Sequence, residues 1–226
     1  MARNDRRNVL VIGDTHLPFE HKGYLDFCND VRKQEKCGTI VHIGDLVDNH
    51  SISYHDHDPD LWSPEYEMQQ VDKILVDWFK VFPELTLTKG NHDCLVDRKG
   101  KTVGLPKRCF TPYRDIWKLP DGWVDVFHID IDGVLYKHGT KLSGKWAHYN
   151  QAIKNRQSTV MGHLPASAGI AFTASEKDCI FGMNVGCGVD AKAAAFAYGE
   201  DFPEKPIVSC GVVYNGRDPR LFMMDL

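Results

Sequence analysis

The stretch VLVIGDTHL, residues 9–17, is where the fold of this chain is decided. Its apolar half predicts a buried strand over about residues 8–13, and the Gly-Asp that follows predicts that the strand ends in a loop. Side chains two residues apart point to the same side of an extended backbone, so Asp14 and His16 can both reach one cation. A lone D-x-H pair often arises by chance, and its meaning therefore depends on the other strand ends.

Two later strands end in the same way. A β-rich run at residues 39–43 is followed by GDLVD at residues 44–48, and a run at residues 85–88 leads into GNHD at residues 90–93. Each strand end therefore carries carboxylate, amide or imidazole groups. Three independent strand ends with metal-competent side chains are hard to obtain by accident.

Helices are predicted between these strands. Residues 22–36 mix apolar and charged positions as an amphipathic helix does. A second helix is predicted from Glu65 to Pro83, with Ser63 as its N-cap and Pro64 at its first position. The resulting β-α-β-α-β order predicts a parallel sheet, and sites in open α/β sheets lie beyond the carboxyl ends of the strands.

The second half of the chain is predicted to be β-rich. Strands at residues 124–131 and 134–138 are expected to pair across Asp132-Gly133, and the second one ends at His138. A short later strand ends at His163. The other predicted elements are a helix at residues 145–156, strands at 159–161, 168–173, 179–185 and 207–214, and an edge strand at 220–226.

Composition limits the class of protein. The chain has 226 residues, 42% of them hydrophobic, which suggests one domain spanning residues 1–226. Its net charge of −4 argues against an overall basic surface for nucleic acid. No apolar stretch approaches the ~20 residues of a membrane span, so no membrane partner is expected. Seven scattered cysteines argue against a disulfide framework, and we expect reduced thiols in a cytoplasmic protein.

A polar loop is predicted at about residues 49–64. It contains HDHD at residues 55–58, an alternation that invites a metal-site interpretation. Because Pro59 and Pro64 break any regular ligand face, we expect a solvated loop instead.

A basic excursion is predicted at about residues 98–118. Lysine, arginine and aromatic residues dominate it, Asp115 is its one acid, and its prolines and glycines predict an irregular backbone. Such a segment suits a phosphate backbone or a stacked base, with Arg108 and Arg114 as candidate substrate contacts. The alternative is a charged surface loop without a ligand.

A phosphate-loop pattern follows the strand that ends at His138. Residues 139–145 fit G-x-x-x-x-G-K, but Trp146 stands where a nucleotide-binding loop needs Ser or Thr for magnesium. We therefore do not expect an ATP site. Ser143 and Lys145 remain candidate contacts for a substrate phosphate.

Taken in order, the motifs GDTH, GDLVD, GNHD, HG at residues 138–139 and GH at residues 162–163 resemble the calcineurin-like metallophosphoesterase superfamily, in particular its bacterial and phage members. The resemblance covers roughly residues 8–165. It implies an α/β fold, a four-layer α/β/β/α sandwich with a dinuclear metal site at the carboxyl ends of the strands.

The resemblance also implies roles for the motif residues. The implied metal ligands are Asp14, His16, Asp45, Asn91, His138 and His163. Asp45 would bridge the two metals, His92 would stabilise or protonate the leaving oxygen, and Asp48 would orient His92. Mixed nitrogen and oxygen ligands without a thiolate suit Mn²⁺ first, with Fe, Zn or Ni as alternatives.

One position departs from the family pattern. The family commonly reads G-H-x-H at its last motif, with the final histidine on the first metal, but Pro165 stands there in this chain. The departure predicts a weaker, more exchangeable first metal. His50, His55 and His148 are the candidate replacements.

The resemblance implies hydrolysis of a phosphate ester by a metal-bridging hydroxide. The basic excursion favours a phosphodiester, either a nucleic acid or a nucleotide. The alternatives are a phosphomonoesterase acting on proteins or small molecules, and a non-catalytic metal-binding module with a degenerate first site.

Overall fold

The computed structural model describes residues 7–54, 62–193 and 204–225 as two β-sheets accompanied by helices. The strands are β1 (Asn8–Ile12), β2 (Thr39–His42), β3 (Leu85–Thr88), β4 (Trp123–Val126), β5 (Ile129–Ile131), β6 (Val134–Tyr136), β7 (Thr159–Met161), β8 (Ala168–Ala174), β9 (Cys179–Val185), β10 (Ser209–Tyr214) and β11 (Asp218–Met223). The helices are α1 (Tyr24–Gln34), α2 (Pro64–Val81), α3 (Leu95–Thr102), α4 (Tyr113–Ile116) and α5 (Ala147–Asn155).

The first sheet has the order β11-β10-β1-β2-β3-β4. Strands β1 to β4 are parallel, and β10 and β11 extend the sheet in antiparallel fashion. The predicted parallel sheet is thus confirmed. The carboxyl ends of β1, β2 and β3 lie along one edge, which places the loops after them side by side.

The second sheet has the order β5-β6-β7-β9-β8. Its three central strands β6, β7 and β9 are parallel, and the edge strands β5 and β8 are antiparallel to their neighbours. The parallel pair β6 and β7 delivers the loops that begin at His138 and Gly162 to the same end of this sheet.

The alternation of apolar side chains in β1 sets the layering. Leu10 and Ile12 are buried in a core shared with α1 and α2, whereas Val9 and Val11 are buried in a second core with residues of β6, β7 and β9. Helix α5 packs on the far side of the second sheet, against β7, β8 and β9. The order of layers is therefore helices, sheet, sheet, helix, as the family resemblance implies.

The start of α2 follows the predicted capping. The Ser63 side chain accepts a hydrogen bond from the backbone N–H of Tyr66, and Pro64 is the first helical residue. The helix then buries Val71, Leu75 and Trp78 against the first sheet. None of the helices in the described ranges is long and apolar enough to cross a membrane.

Two secondary-structure predictions were wrong. The strand predicted at residues 124–131 is divided between the sheets, because the chain leaves β4 at Phe127 and enters β5 at Ile129. The excursion at residues 98–118 is not irregular throughout. It contains most of α3, a 3-10 turn at Lys107–Cys109 and α4, because Pro106 and Pro112 directly precede the last two elements and start them rather than break them.

Part of the predicted polar loop lies outside the described residues, namely 55–61. The described part includes a 3-10 turn at His50–Ile52. The Glu67 carboxylate of α2 holds this turn, because it accepts hydrogen bonds from the backbone N–H groups of His50 and Ser51 at 2.7 and 3.0 Å.

Candidate metal centre

Loops from both sheets bring the motif residues together. Asp14, Asp45 and Asn91 follow β1, β2 and β3 of the first sheet, and His138 and His163 follow β6 and β7 of the second. The side chains of Asp14, Asp45 and His138 are almost fully buried, with exposures of 0%, 2% and 2%. The centre therefore lies where the two sheets meet at the carboxyl ends of their parallel strands.

Asp14, His16 and Asp45 form the first candidate group. One side-chain oxygen or nitrogen of each lies within 4.8 Å of the others. His16 Nε2 is 3.8 Å from Asp45 Oδ2, while its Nδ1 is 2.6 Å from Asp48 Oδ1. Because Asp48 fixes one ring nitrogen, it orients the other towards the group, as a carboxylate behind a metal-binding histidine does.

Asp45, His138 and His163 form the second candidate group. His138 Nε2 lies 3.0 Å from Asp45 Oδ2, 3.1 Å from His163 Nδ1 and 3.1 Å from Asn91 Oδ1. His138 Nδ1 is 3.1 Å from the carbonyl oxygen of Ile43 and donates to it, so Nε2 of the neutral ring carries a lone pair. A divalent cation can accept an electron pair from each of these four side chains at once, whereas a single proton cannot.

The electrostatics of the two groups favour bound positive charge. Burial raises the pKa of Asp14 to about 7, although His138 opposes this shift. Asp14 Oδ1 is buried without a hydrogen-bond partner, whereas Oδ2 accepts from the backbone N–H of His163 at 2.7 Å. Burying a carboxylate oxygen without a hydrogen-bond partner costs free energy unless a cation contacts it. The donor set therefore fits two divalent metals that share Asp45.

Two glycines leave room for the carboxylates where the backbone comes close to them. A Cβ atom on Gly90 would overlap Oδ1 of Asp45, and one on Gly162 would overlap Oδ1 of Asp14. Three residues of the centre also adopt left-handed backbone conformations, with φ of 49° at His16, 47° at Asp45 and 72° at His163. Non-glycine residues in this region carry strain, which is concentrated at functional sites.

His92 stands beside the centre. Its backbone N–H donates to Asp45 Oδ1 at 2.8 Å, and its Nδ1 lies 2.7 Å from the carbonyl oxygen and 3.2 Å from Oδ1 of Asp48. Burial lowers the pKa of His92, but the carboxylates of Asp45 and Asp48 outweigh it and raise the pKa to about 10. The His92 ring therefore holds a proton readily. Its Nε2 faces away from Asp48.

Sequence reasoning missed two supporting residues. Asp93, quoted only as part of GNHD, accepts hydrogen bonds from the backbone N–H groups of Leu46 and Gly90 and from the Tyr113 hydroxyl, at 3.1, 2.8 and 2.8 Å. His42, the last residue of β2, lies 3.1 Å from the Thr15 hydroxyl. Burial lowers the pKa of His42 to about 3, so this ring is a neutral support beneath the centre.

The other candidate residues fall outside the two groups. Among the described residues, His50 lies 3.5 Å from Asp48 Oδ2 and His148 lies on α5, and neither belongs to a candidate metal group. His55 lies outside the described residues. The backbone carbonyl of Pro165 accepts from the N–H of Ile207, so this residue has a structural contact in place of a metal-binding side chain.

The candidate substrate-binding residues do not all lie in one place. Arg108 and Arg114 line a cavity of about 1040 Å³, and Asn49 and Asp93, which lie next to His92, line it as well. Lys145 does not line this cavity, and its ammonium group lies 5.9 Å from the centre of the Trp146 ring. The two arginines therefore lie together in the cavity, whereas Lys145 lies outside it.

The family model of calcineurin-like phosphoesterases matches residues 7–190. The chain belongs to this family. The match begins just before β1 and includes every motif residue of the centre. No curated protein matches the chain significantly.

Solved structures resemble the whole chain at low identity. Vacuolar protein sorting 29 from Cryptosporidium parvum is 12% identical, with a TM-score of 0.51 over 97% of this chain and 92% of its own. Wild-type Vps29 with Zn²⁺ from Entamoeba histolytica is 14% identical, with a TM-score of 0.45 over 96% and 98% of the two chains. The phosphoesterase Yfce from E. coli is 13% identical, with a TM-score of 0.38 over 91% and 87%. The first of these supports the fold.

Proposed function

We propose that this protein is a two-metal phosphoesterase that hydrolyses phosphodiesters, with a nucleic acid or nucleotide as substrate. The observation that carries the proposal is the pair of candidate metal groups that share Asp45, with His92 held beside them. A shared carboxylate keeps two cations close despite their mutual repulsion. When bound, the two cations would activate water and neutralise charge during in-line attack on phosphorus.

The ligand roles proposed for the chain follow from the contacts. Asp14 and His16 hold the first metal with Asp45, and Mn²⁺ is the proposed ion for a set of carboxylate and imidazole donors. The second metal takes Asp45 together with Asn91, His138 and His163, which converge on one point.

His92 acts on the leaving group in this proposal. Asp48 holds Nδ1, so Nε2 is the nitrogen that can donate a proton to the departing oxygen. Asp48 is a positioning residue, because it orients both His92 and His16.

The preference for a diester rests on the cavity that Arg108 and Arg114 line. A nucleic acid or dinucleotide carries a further phosphate beyond the scissile one that these arginines can bind, whereas a simple monoester carries none. The test compares turnover of an activated aryl monoester, an activated aryl diester and single-stranded DNA, each with added Mn²⁺. We expect turnover of the diester and of DNA. If only the monoester is hydrolysed, the protein is a phosphomonoesterase and the diester proposal is wrong.

Pro165 favours one alternative, a metal-binding module without catalytic activity. Among the described residues, the first group has only Asp14, His16 and Asp45 as side-chain ligands. Elemental analysis decides between the two functions: two metals with hydrolysis support the enzyme, and one tightly bound metal without hydrolysis in excess Mn²⁺ supports the module. Pro165→His should tighten the first metal if position 165 faces it.

The cytoplasmic location remains a proposal, based on the abundance of unpaired thiols. All seven cysteines are free in the structure. Fractionation of the native cells would test it.

A further inference from the structure

We propose that the cavity beside the metal centre binds a nucleotide unit on the leaving-group side of the scissile phosphate. We call it the basic cavity and define it by the cationic residues that line it, namely Lys89, Lys107, Arg108 and Arg114. The inference rests on the proposed phosphoesterase function and goes further, since it assigns the residues that recognise the nucleotide and the side of the scissile phosphate on which they do so.

The position of the cavity follows from its inner wall. Asn49 and Asp93 line it, and both are tied to His92. Asn49 Nδ2 donates to the carbonyl oxygen of His92 at 3.0 Å, and Asp93 is the next residue in the chain. Because His92 is the proposed proton donor to the leaving oxygen, we infer that the leaving group lies on the side of His92 that these two residues occupy.

The charges of the cavity leave two cations available for a ligand. Lys89 pairs with Asp125 at 2.7 Å, and Arg114 lies 4.0 Å from the same carboxylate. Lys107 and Arg108 are exposed and form no ion pair with any described residue. They can therefore bind an anion without breaking an existing pair.

The acids on the wall are mostly committed to the protein. Glu67 accepts from the backbone N–H groups of His50 and Ser51, and Asp93 accepts from the Tyr113 hydroxyl and from backbone N–H groups. Among the described lining acids, Asp97 is the one left without such a contact, so the two available cations outnumber it. The turn at Lys107–Cys109 thus carries the cations that are available to an anion.

Aromatic rings line the same cavity. Phe127 has 65% of its surface exposed, so its ring is accessible to a ligand. Lys89 Nζ lies 5.0 Å from the centre of this ring and 5.7 Å from that of Tyr113, so it supports both. Phe110 is half-buried against Gly100 on the helical side. Rings and cations along one groove are the arrangement that binds a base and its phosphate.

The size fits the proposed occupant. Pockets for small ligands measure about 300–1000 Å³, and the basic cavity reaches about 1040 Å³. It can therefore hold a base, its sugar and a further phosphate. A leaving group of this kind is aromatic and anionic, which matches the stacking rings and the cations of Lys107 and Arg108.

The first test measures binding without catalysis. The probe is a 5′-phosphorylated dithymidine dinucleotide, titrated by calorimetry in EDTA and compared with inorganic phosphate. We expect the dinucleotide to bind at least tenfold more tightly than phosphate. Equal affinities would overturn the inference, because only the anion would then be recognised.

Matched variants locate the binding site. The double change Lys107→Glu with Arg108→Glu should weaken dinucleotide binding at least tenfold, whereas Lys101→Glu, on the same basic segment but outside the cavity, should not. Phe127→Ala should weaken binding at least fivefold, in line with ~1–3 kcal/mol for stacking of one base. Phe172→Ala is its control, since that ring is 57% exposed on the edge strand β8. Equal effects in variant and control would contradict the site.

Hydrolysis separates this inference from the proposed function. If the dinucleotide binds as expected but no ester is hydrolysed with Mn²⁺, the proposed enzyme activity fails while the binding site stands. If an aryl diester is hydrolysed but the dinucleotide does not bind, the inference alone fails. If both hold, the Lys107 and Arg108 double variant should raise KM for the dinucleotide far more than the Lys101→Glu control does.

Discussion

At the scale of single residues, Asp48 connects the metal groups to the proposed proton donor. Its Oδ1 lies 2.6 Å from His16 Nδ1 and 3.2 Å from His92 Nδ1, and its Oδ2 lies 3.5 Å from His50 Nδ1. The family resemblance implies the link to His92 only. The link to His16 joins residues 32 positions apart, and such a contact depends on how the loops after β1 and β2 fold together.

His92→Ala tests the leaving-group role. Hydrolysis of an ester with a poor leaving group should fall about 10²–10⁴-fold, because the departing oxygen then lacks its proton donor. An activated aryl ester should lose much less, since its leaving group departs without a proton. Steady-state rates on both substrates and metal content by elemental analysis provide the measurement.

The control for His92→Ala is His128→Ala, which removes an exposed imidazole. It should behave as the wild type with both substrates. An equal loss for good and poor leaving groups in His92→Ala, or a loss of metal, would show that His92 acts as something other than a proton donor.

Gly162→Ala tests the fit of the first metal. An added Cβ would overlap Asp14 Oδ1 and crowd the Ile43 side chain, so the carboxylate must move. We expect Mn²⁺ binding at this site to weaken by about 10–100-fold, as it does when the support of a ligand is lost. Titration with Mn²⁺ measures the change. Gly38→Ala is the control, because a Cβ there meets no atom within 4 Å, and a similar loss in both variants would refute the explanation.

At the scale of elements, α1 supports the loop that begins at Gly13. The fully buried Tyr24 hydroxyl accepts from the N–H of Gly13 at 2.9 Å and donates to the carbonyl oxygen of Ser209 at 2.8 Å. The helix thus connects β1 to β10 across the edge from which Asp14 projects. Sequence periodicity predicts α1 but cannot identify these partners, because one of them lies 185 residues away.

Tyr24→Phe should destabilise the fold by about 1–3 kcal/mol. The change leaves a buried N–H and a buried carbonyl without their partner, which costs more than the hydrogen bonds themselves contribute. Urea unfolding with a fluorescence readout measures the free energy of unfolding. Tyr66→Phe, at a ring that is 45% exposed on α2, should change it little, and equal losses would argue against the hydroxyl bridge.

The elements also show where sequence patterns fail. The strands β1, β2 and β3 were predictable because a local apolar run ends at a glycine in each case. Helix α3 was not, because its Gly100 faces Phe110 and this contact, rather than helix propensity, makes a glycine favourable there. The division of residues 124–131 between two sheets likewise reflects tertiary pairing, since Trp123–Val126 aligns with β3.

At the scale of the whole molecule, the candidate centre was predictable because its residues lie in short motifs at strand ends. The topology then brings these ends together from both sheets, and the order of motifs along the chain was enough to group them. The basic cavity was not predictable in the same way. Its wall combines Asn49, Lys89, Arg108 and Phe127, which come from separate loops and share no local pattern.

Glu20 links distant parts of the molecule and makes its stability depend on pH. The carboxyl group accepts from Trp78 Nε1 at 3.1 and 3.3 Å, and residue 20 pairs with Val189 in a short bridge. Burial raises the pKa of Glu20 from 4.5 to about 8, although the Trp78 hydrogen bond opposes this shift. The folded state therefore binds this proton more tightly than the unfolded state does.

The sign of the effect follows from this difference in pKa. The stabilisation from the protonated carboxyl group is fully present below about pH 4.5 and is lost as the pH rises through about 8. Glu20→Gln keeps an acceptor for Trp78 without the charge. Its melting temperature relative to the wild type should therefore rise steadily between pH 5 and pH 9, measured by calorimetry. The exposed control Glu176→Gln should show no such trend, and a constant difference for Glu20→Gln would mean that the carboxyl group does not change its protonation on unfolding.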